Sequence, residues 1–91
     1  MALQEEISLT GEVTGDVVIT TYPPGAEIYM DDHLVIDTDT KESLKTPVIL
    51  AMYMGLHDLR FVLPGYCNEF ATVYIIPASG ATYVHRNFNI C

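Results

Sequence analysis

Thr21-Tyr22-Pro23-Pro24-Gly25-Ala26-Glu27-Ile28-Tyr29-Met30 decides the reading of this chain. Upstream of it, Val17-Val18-Ile19-Thr20-Thr21 is rich in β-branched residues and reads as a strand. Pro23 and Pro24 donate no backbone hydrogen bond, so the ladder stops there. Gly25 admits the dihedrals of a turn, and a second strand starts at Ala26. Beyond it, Asp31-Asp32-His33 reads as a turn, Leu34-Val35-Ile36 as a short strand and residues 37–45 as a polar loop. Residues 46–54 fit two descriptions. Thr46 can cap a helix with Pro47 at its first position, or the run Val48-Ile49-Leu50-Ala51-Met52-Tyr53-Met54 can form a buried strand, and periodicity does not separate the two. Residues 67–76 and 82–90 read as a hairpin across Pro77-Ala78-Ser79-Gly80. Residues 1–15, with Leu3, Ile7, Leu9 and Val13 among polar neighbours, read as an arm or an added edge strand.

The turn at Pro23-Pro24-Gly25-Ala26 is followed in order by Thr46-Pro47, by Gly55-Leu56-His57 and by Pro64-Gly65-Tyr66. In this ordered set the chain resembles the PEGA domain, whose name spells the Pro-x-Gly-Ala turn. Here proline stands where the name has glutamate. The resemblance covers residues 16–89. It implies an all-β fold over residues 16–91, a single-domain β-sandwich of about seven strands with transthyretin-like or carboxypeptidase-regulatory-like topology. It also implies a strand to about residue 51, a turn through Gly55 and a strand over residues 56–63. Tyr66 is then expected to anchor its turn in the core, and His57 to make a structural hydrogen bond. The chain departs from the family pattern at Asp31-Asp32-His33-Leu34 and at Lys45, where glycine-bearing turns are usual, and carries a polar insert over residues 37–43.

Ninety-one residues make one domain with a modest core. Hydrophobic residues are 49% of the chain and the mean hydropathy is +0.25, despite a net charge of −8. Either the two sheets are tightly filled, or apolar surface is buried against a partner. Lys41, Lys45, Arg60 and Arg86 against twelve acidic residues leave no phosphate-binding face, which excludes nucleic acid and disfavours anionic membranes. No apolar run approaches the ~20 residues of a membrane span. The first six residues lack the basic and apolar regions of a Sec signal. Domains of the resembled family usually sit in secreted or envelope proteins of bacteria and archaea. The expected routes are therefore a cytoplasmic protein, a processed one, or one that leaves the cell by lysis inside a virus particle.

Chemistry is sparse. Cys67 and Cys91 are two unrelated thiols, a bridge within the chain or a bridge between copies; a bridge requires an oxidising location. His33, His57 and His85 lack close metal-ligand spacing, and Asp31, Asp32, Asp37, Asp39 and Glu42 fail the EF-hand register at Lys41. No metal site or cofactor is expected. Ser8, Ser43 and Ser79 lie in no nucleophile elbow, and Cys67 has no activating base nearby in sequence, so no catalysis is expected. Tyr29, Tyr53, Tyr74 and Tyr83 are the candidate interface residues, because tyrosine joins apolar area to a polar tip. The functional expectation is a non-catalytic structural surface module assembling in many copies with itself and other proteins, most specifically a decoration or cement protein of a capsid or tail. Its location is then a virion or an extracellular surface. The alternative is a cell-surface or carbohydrate-binding adhesion module, or a fragment of a larger envelope protein, marked by an aromatic platform beside residues 31–43.

Overall fold

A computed structural model describes residues 14–76 and 80–91. Among these the chain forms seven strands and no helix: β1 (Thr14–Tyr22), β2 (Glu27–Met30), β3 (His33–Leu34), β4 (Val48–Tyr53), β5 (Gly55–Val62), β6 (Glu69–Ile75) and β7 (Thr82–Asn87). They build a sandwich of a three-stranded sheet, ordered β4-β1-β7, on a four-stranded one, ordered β3-β2-β5-β6. The expected all-β sandwich is the fold.

Alternation along each strand sets the core. Val17 and Ile19 of β1, Leu50 and Met52 of β4 and Val84 of β7 point inward from one sheet. Ile28, Leu59, Phe61, Ala71, Val73 and Ile75 meet them from the other. The same alternation settles residues 46–54 as strand: Leu50 and Met52 are buried while Ile49, Ala51 and Tyr53 face out. Gly15 marks a close approach between the layers. A Cβ there meets Ile75 Cγ2 at 2.9 Å, so any larger residue displaces a core side chain.

The chain changes sheet at four connections, β1 to β2, β3 to β4, β4 to β5 and β6 to β7. The last corrects the expected hairpin. β6 and β7 lie in different sheets, and β7 pairs in parallel with β1, from Val17 with Thr82 to Tyr22 with Asn87. Inward-facing Ala71, Val73 and Ile75 need a surface to bury against, and the opposite layer provides it where a paired neighbour does not. Thr14 and Gly15 belong to β1, paired with Tyr53 and Met52; the expected arm is otherwise outside the described residues. The short strand expected at residues 34–36 is β3 at His33–Leu34, with Ile36 bridging to Ser43.

The missing glycine after β2 is compensated by aspartate. Asp31 (φ 51°) and Asp32 (φ 70°) both take left-handed conformations, so a two-residue turn joins Met30 to its partner His33. Positive φ at both central residues is the type I′ pattern that suits a twisted hairpin, and aspartate tolerates it better than most side chains.

Candidate functional site

The motif turn is a structural device at one end of the sandwich. Thr46 is 4% exposed and stands at its centre. Its Oγ accepts from the amides of Gly25 (3.1 Å) and Ala26 (3.0 Å) and lies 2.6 Å from the Thr21 hydroxyl. Thr21 donates to the Pro23 carbonyl at 2.8 Å, so Thr46 donates to Thr21 and every polar atom of the pair is used. The Gly25 amide also reaches the Thr46 carbonyl, and the Thr46 amide the Ala26 carbonyl. Gly25 (φ 99°) supplies the left-handed residue at this turn, and the Tyr22-Pro23 and Thr46-Pro47 peptides are cis. Pro23, Pro24, Gly25 and Ala26 are thus held by Thr46, whose neighbour Lys45 bridges to Glu27. Both threonines were missed as functional parts of the turn; the adjacency of Thr46 to Pro47 was the available signal.

The same end carries the cysteines. Cys67 and Cys91 are bonded to each other, with Cα atoms 4.9 Å apart. Of the readings left open by the residues, the bridge within the chain is the one formed, and neither thiol is free to lock a neighbour. The bond fastens the last residues to the Pro64-Gly65-Tyr66 turn. Tyr66 bridges to Ile90, the Cys67 amide donates to the Asn89 carbonyl, and the Tyr66 ring packs on Phe88 at 5.9 Å between centroids. Tyr66 packs against the core as the turn motif implied.

At the opposite end, His57 joins the two layers. Its Nδ1 lies 2.7 Å from Asp31 Oδ2 and its Nε2 2.7 Å from the Tyr53 carbonyl. Neither acceptor carries a proton, so both contacts together need the imidazolium. Asp31 Oδ1 accepts from the Asp58 amide at 2.9 Å, and the Asp31 amide donates back to the Asp58 carbonyl. The His57 hydrogen bond, and after it the Asp58 amide, hold the Asp31 carboxyl below its ordinary range. The Asp31 hydrogen bond raises the His57 imidazole, against an opposing pull from partial burial.

Beside this pair lies a cleft of about 110 Å³, lined by Tyr29, Asp31, Asp32, Asp58, Leu59, Arg60 and Phe70. Arg60 already covers the Tyr29 ring, its guanidinium carbon 4.3 Å from the centroid, and reaches Asp32 at 3.8 Å. Asp37 spends its carboxylate on the amides of Asp39 and Thr40. Among the described residues no three histidine, cysteine or acidic side chains gather as a metal site.

The four candidate tyrosines divide between the two outer faces. Tyr29 and Tyr74 lie on the four-stranded sheet, in rows with Arg60 and Leu56. Tyr53 and Tyr83 lie on the three-stranded sheet, Tyr83 in a row with Val18 and Ile49. Phe70, Leu56 and Ile76 are exposed on or beside the first face, Ile49 and Tyr22 on the second.

No match to a curated protein or a solved structure was found. Comparison with protein families matches residues 14–88 to the PEGA domain, most of the chain. That match, the Pro23-Pro24-Gly25-Ala26 turn locked by Thr46 and the seven-stranded sandwich agree, and the chain belongs to the PEGA domain family.

Proposed function

We propose that the chain is a non-catalytic structural surface module that assembles in many copies, most specifically as a decoration or cement protein of a virus capsid or tail. The observation that carries this reading is the pair of apolar outer faces. Each sheet exposes large hydrophobic side chains on the side away from the core, so one copy offers contact surface in two opposite directions. A module with two such faces can be held between neighbours, which a single-site binder does not require. Membership of the PEGA family and an intrachain disulfide both fit a surface or extracellular setting. Cys67 is bonded and His57 is engaged at both ring nitrogens, so neither supports a nucleophile–base pair.

The test is fractionation of material from the native source on a density gradient, with peptide mass analysis of each fraction and labelled antibody in the electron microscope. Co-sedimentation with particles at tens of copies or more supports the reading. Confinement to cytosolic fractions overturns it. The cleft at Phe70 and Asp58 favours one second reading, carbohydrate binding, because an exposed ring beside carboxylates suits a sugar. Saturable glycan binding by the monomer, lost in Phe70→Ala, would establish that instead.

A further inference from the structure

The two outer faces differ in charge. The face of the four-stranded sheet carries Glu27, Asp58 and Arg60, with Asp31 and Asp32 at its rim. The face of the three-stranded sheet runs in rows across β4, β1 and β7: Tyr53–Thr14, Ala51–Asp16, Ile49–Val18–Tyr83, Thr20–His85 and Tyr22–Asn87. Asp16 is the one carboxylate among these residues, although the whole chain has a net charge of −8. Ile49 is 65% exposed and Tyr83 77% exposed. For two equally acidic copies this is the face on which contact opposes the fewest carboxylates.

We propose that the outer face of the three-stranded sheet docks a second copy of this chain, about a two-fold axis that crosses the strands at Val18. This rests on the multi-copy reading above and names its first contact. Sheets packed face to face keep their strands within about 30° of each other, so a two-fold axis between them runs either along the strands or across them. An axis along β1 sets Asp16 on the partner's Asp16. An axis across β1 at Val18 pairs position 16 with position 20, and sets Asp16 on the partner's Thr20, beside the partner's His85. Thr20 and His85 already share a hydrogen bond of 2.8 Å and the other ring nitrogen of His85 lies 3.0 Å from Asn87 Oδ1, so this row meets the carboxylate with polar groups and no second carboxylate. Charge therefore selects the second axis. It also sets Tyr83 on the partner's Tyr83, Ile49 on the partner's Ile49, and the smaller Val18 between them.

The face is small. Three strands about 4.8 Å apart and six residues of about 3.3 Å give roughly 14 by 20 Å. That is well under the about 800 Å² per partner of a standard interface, so the pair is weak in dilute solution and gains strength from repetition in an assembly.

Sedimentation velocity of the 91-residue chain between about 10 and about 500 μM tests this. The expected result is a reversible monomer–dimer equilibrium, weakened at least tenfold by Ile49→Asp or Tyr83→Asp and unchanged by Phe70→Asp on the other face. Circular dichroism confirms that each variant is folded. Under mild oxidant, Tyr83→Cys should form linked pairs and Asp16→Cys should not. A monomer at every concentration, an association indifferent to Ile49→Asp and Tyr83→Asp, or linkage through Asp16→Cys in place of Tyr83→Cys overturns the proposal. A chain that is monomeric alone yet coats a particle fails here and leaves the structural reading standing. A chain that pairs through this face but is absent from particles does the reverse.

Discussion

The two ends of the sandwich are closed by different chemistry. At the motif end, Thr21 and Thr46 form a buried, neutral and fully used network, and the Cys67–Cys91 bond fastens the chain terminus beside it. At the other end, His57 holds Asp31 and the Tyr53 carbonyl through charge, with its side chain 13% exposed and that of Asp31 49% exposed. Each device ties segments that local alternation leaves apart. A buried neutral network is insensitive to pH and costly to break, because each orphaned group keeps its desolvation penalty. A surface ion pair is worth less and titrates.

The comparison predicts a ranking. Removing the disulfide with Cys67→Ser and Cys91→Ser together has the largest effect. Its 24-residue separation corresponds to about 3.5 kcal/mol of loop entropy, or a fall in Tm of roughly 15–25 °C, which calorimetry reads. Thr46→Val follows at about 2–3 kcal/mol by urea unfolding, since the shape is kept while the amides of Gly25 and Ala26 lose their acceptor. That loss should be the same at pH 5 and pH 8. A loss in Thr46→Ser with none in Thr46→Val would show that packing, and not the hydroxyl, holds the turn.

His57→Gln is the smaller break, about 1 kcal/mol near pH 5. Its sign with pH follows from the directions of the two shifts. His57 is raised in the folded chain, so its contribution is complete below its ordinary value of 6.5 and is lost as pH rises through the folded value above that. Asp31 is lowered, so its contribution is complete above 3.8 and is lost as pH falls through a folded value below that. The gap between wild type and His57→Gln should therefore be widest between about pH 4 and 6.5 and narrow on both sides. A gap that is flat from pH 5 to pH 9 would mean that the ring acts by packing alone. Smallest of all is Asp32→Asn, expected within about 0.5 kcal/mol, because its contact with Arg60 is long and solvent-screened.

What the sequence discloses of this molecule divides along the same line. The Pro23-Pro24-Gly25-Ala26 turn, the strand at residues 17–21 and the core role of Tyr66 are local or carried by an ordered motif, and they were legible. The partner of each strand was not. Alternation in 69–75 and 82–87 says which residues face inward, but the same pattern serves two paired strands or two facing ones. Hence β6 and β7 read as a hairpin although they lie in opposite layers. The tyrosines show the same gap: their chemistry suited an interface, but their division between two faces was not readable, since it depends on which sheet holds β4 and β6. The union of Cys67 with Cys91 and the reach of Thr46 to Gly25 are likewise long-range facts.

The parallel pairing of β1 with β7 also has a consequence for synthesis. Thr20 and His85, neighbours in the finished sheet, are 65 positions apart in the chain. β4 can cover one edge of β1, but the other edge waits for β7, which is made after the other six strands. Through that interval Val17-Val18-Ile19-Thr20-Thr21 is an uncovered β-branched strand, the kind of segment that pairs with other nascent chains. Folding of this domain is therefore tied to synthesis of β7, and a chain stalled before Thr82 lacks the strand that closes the central one.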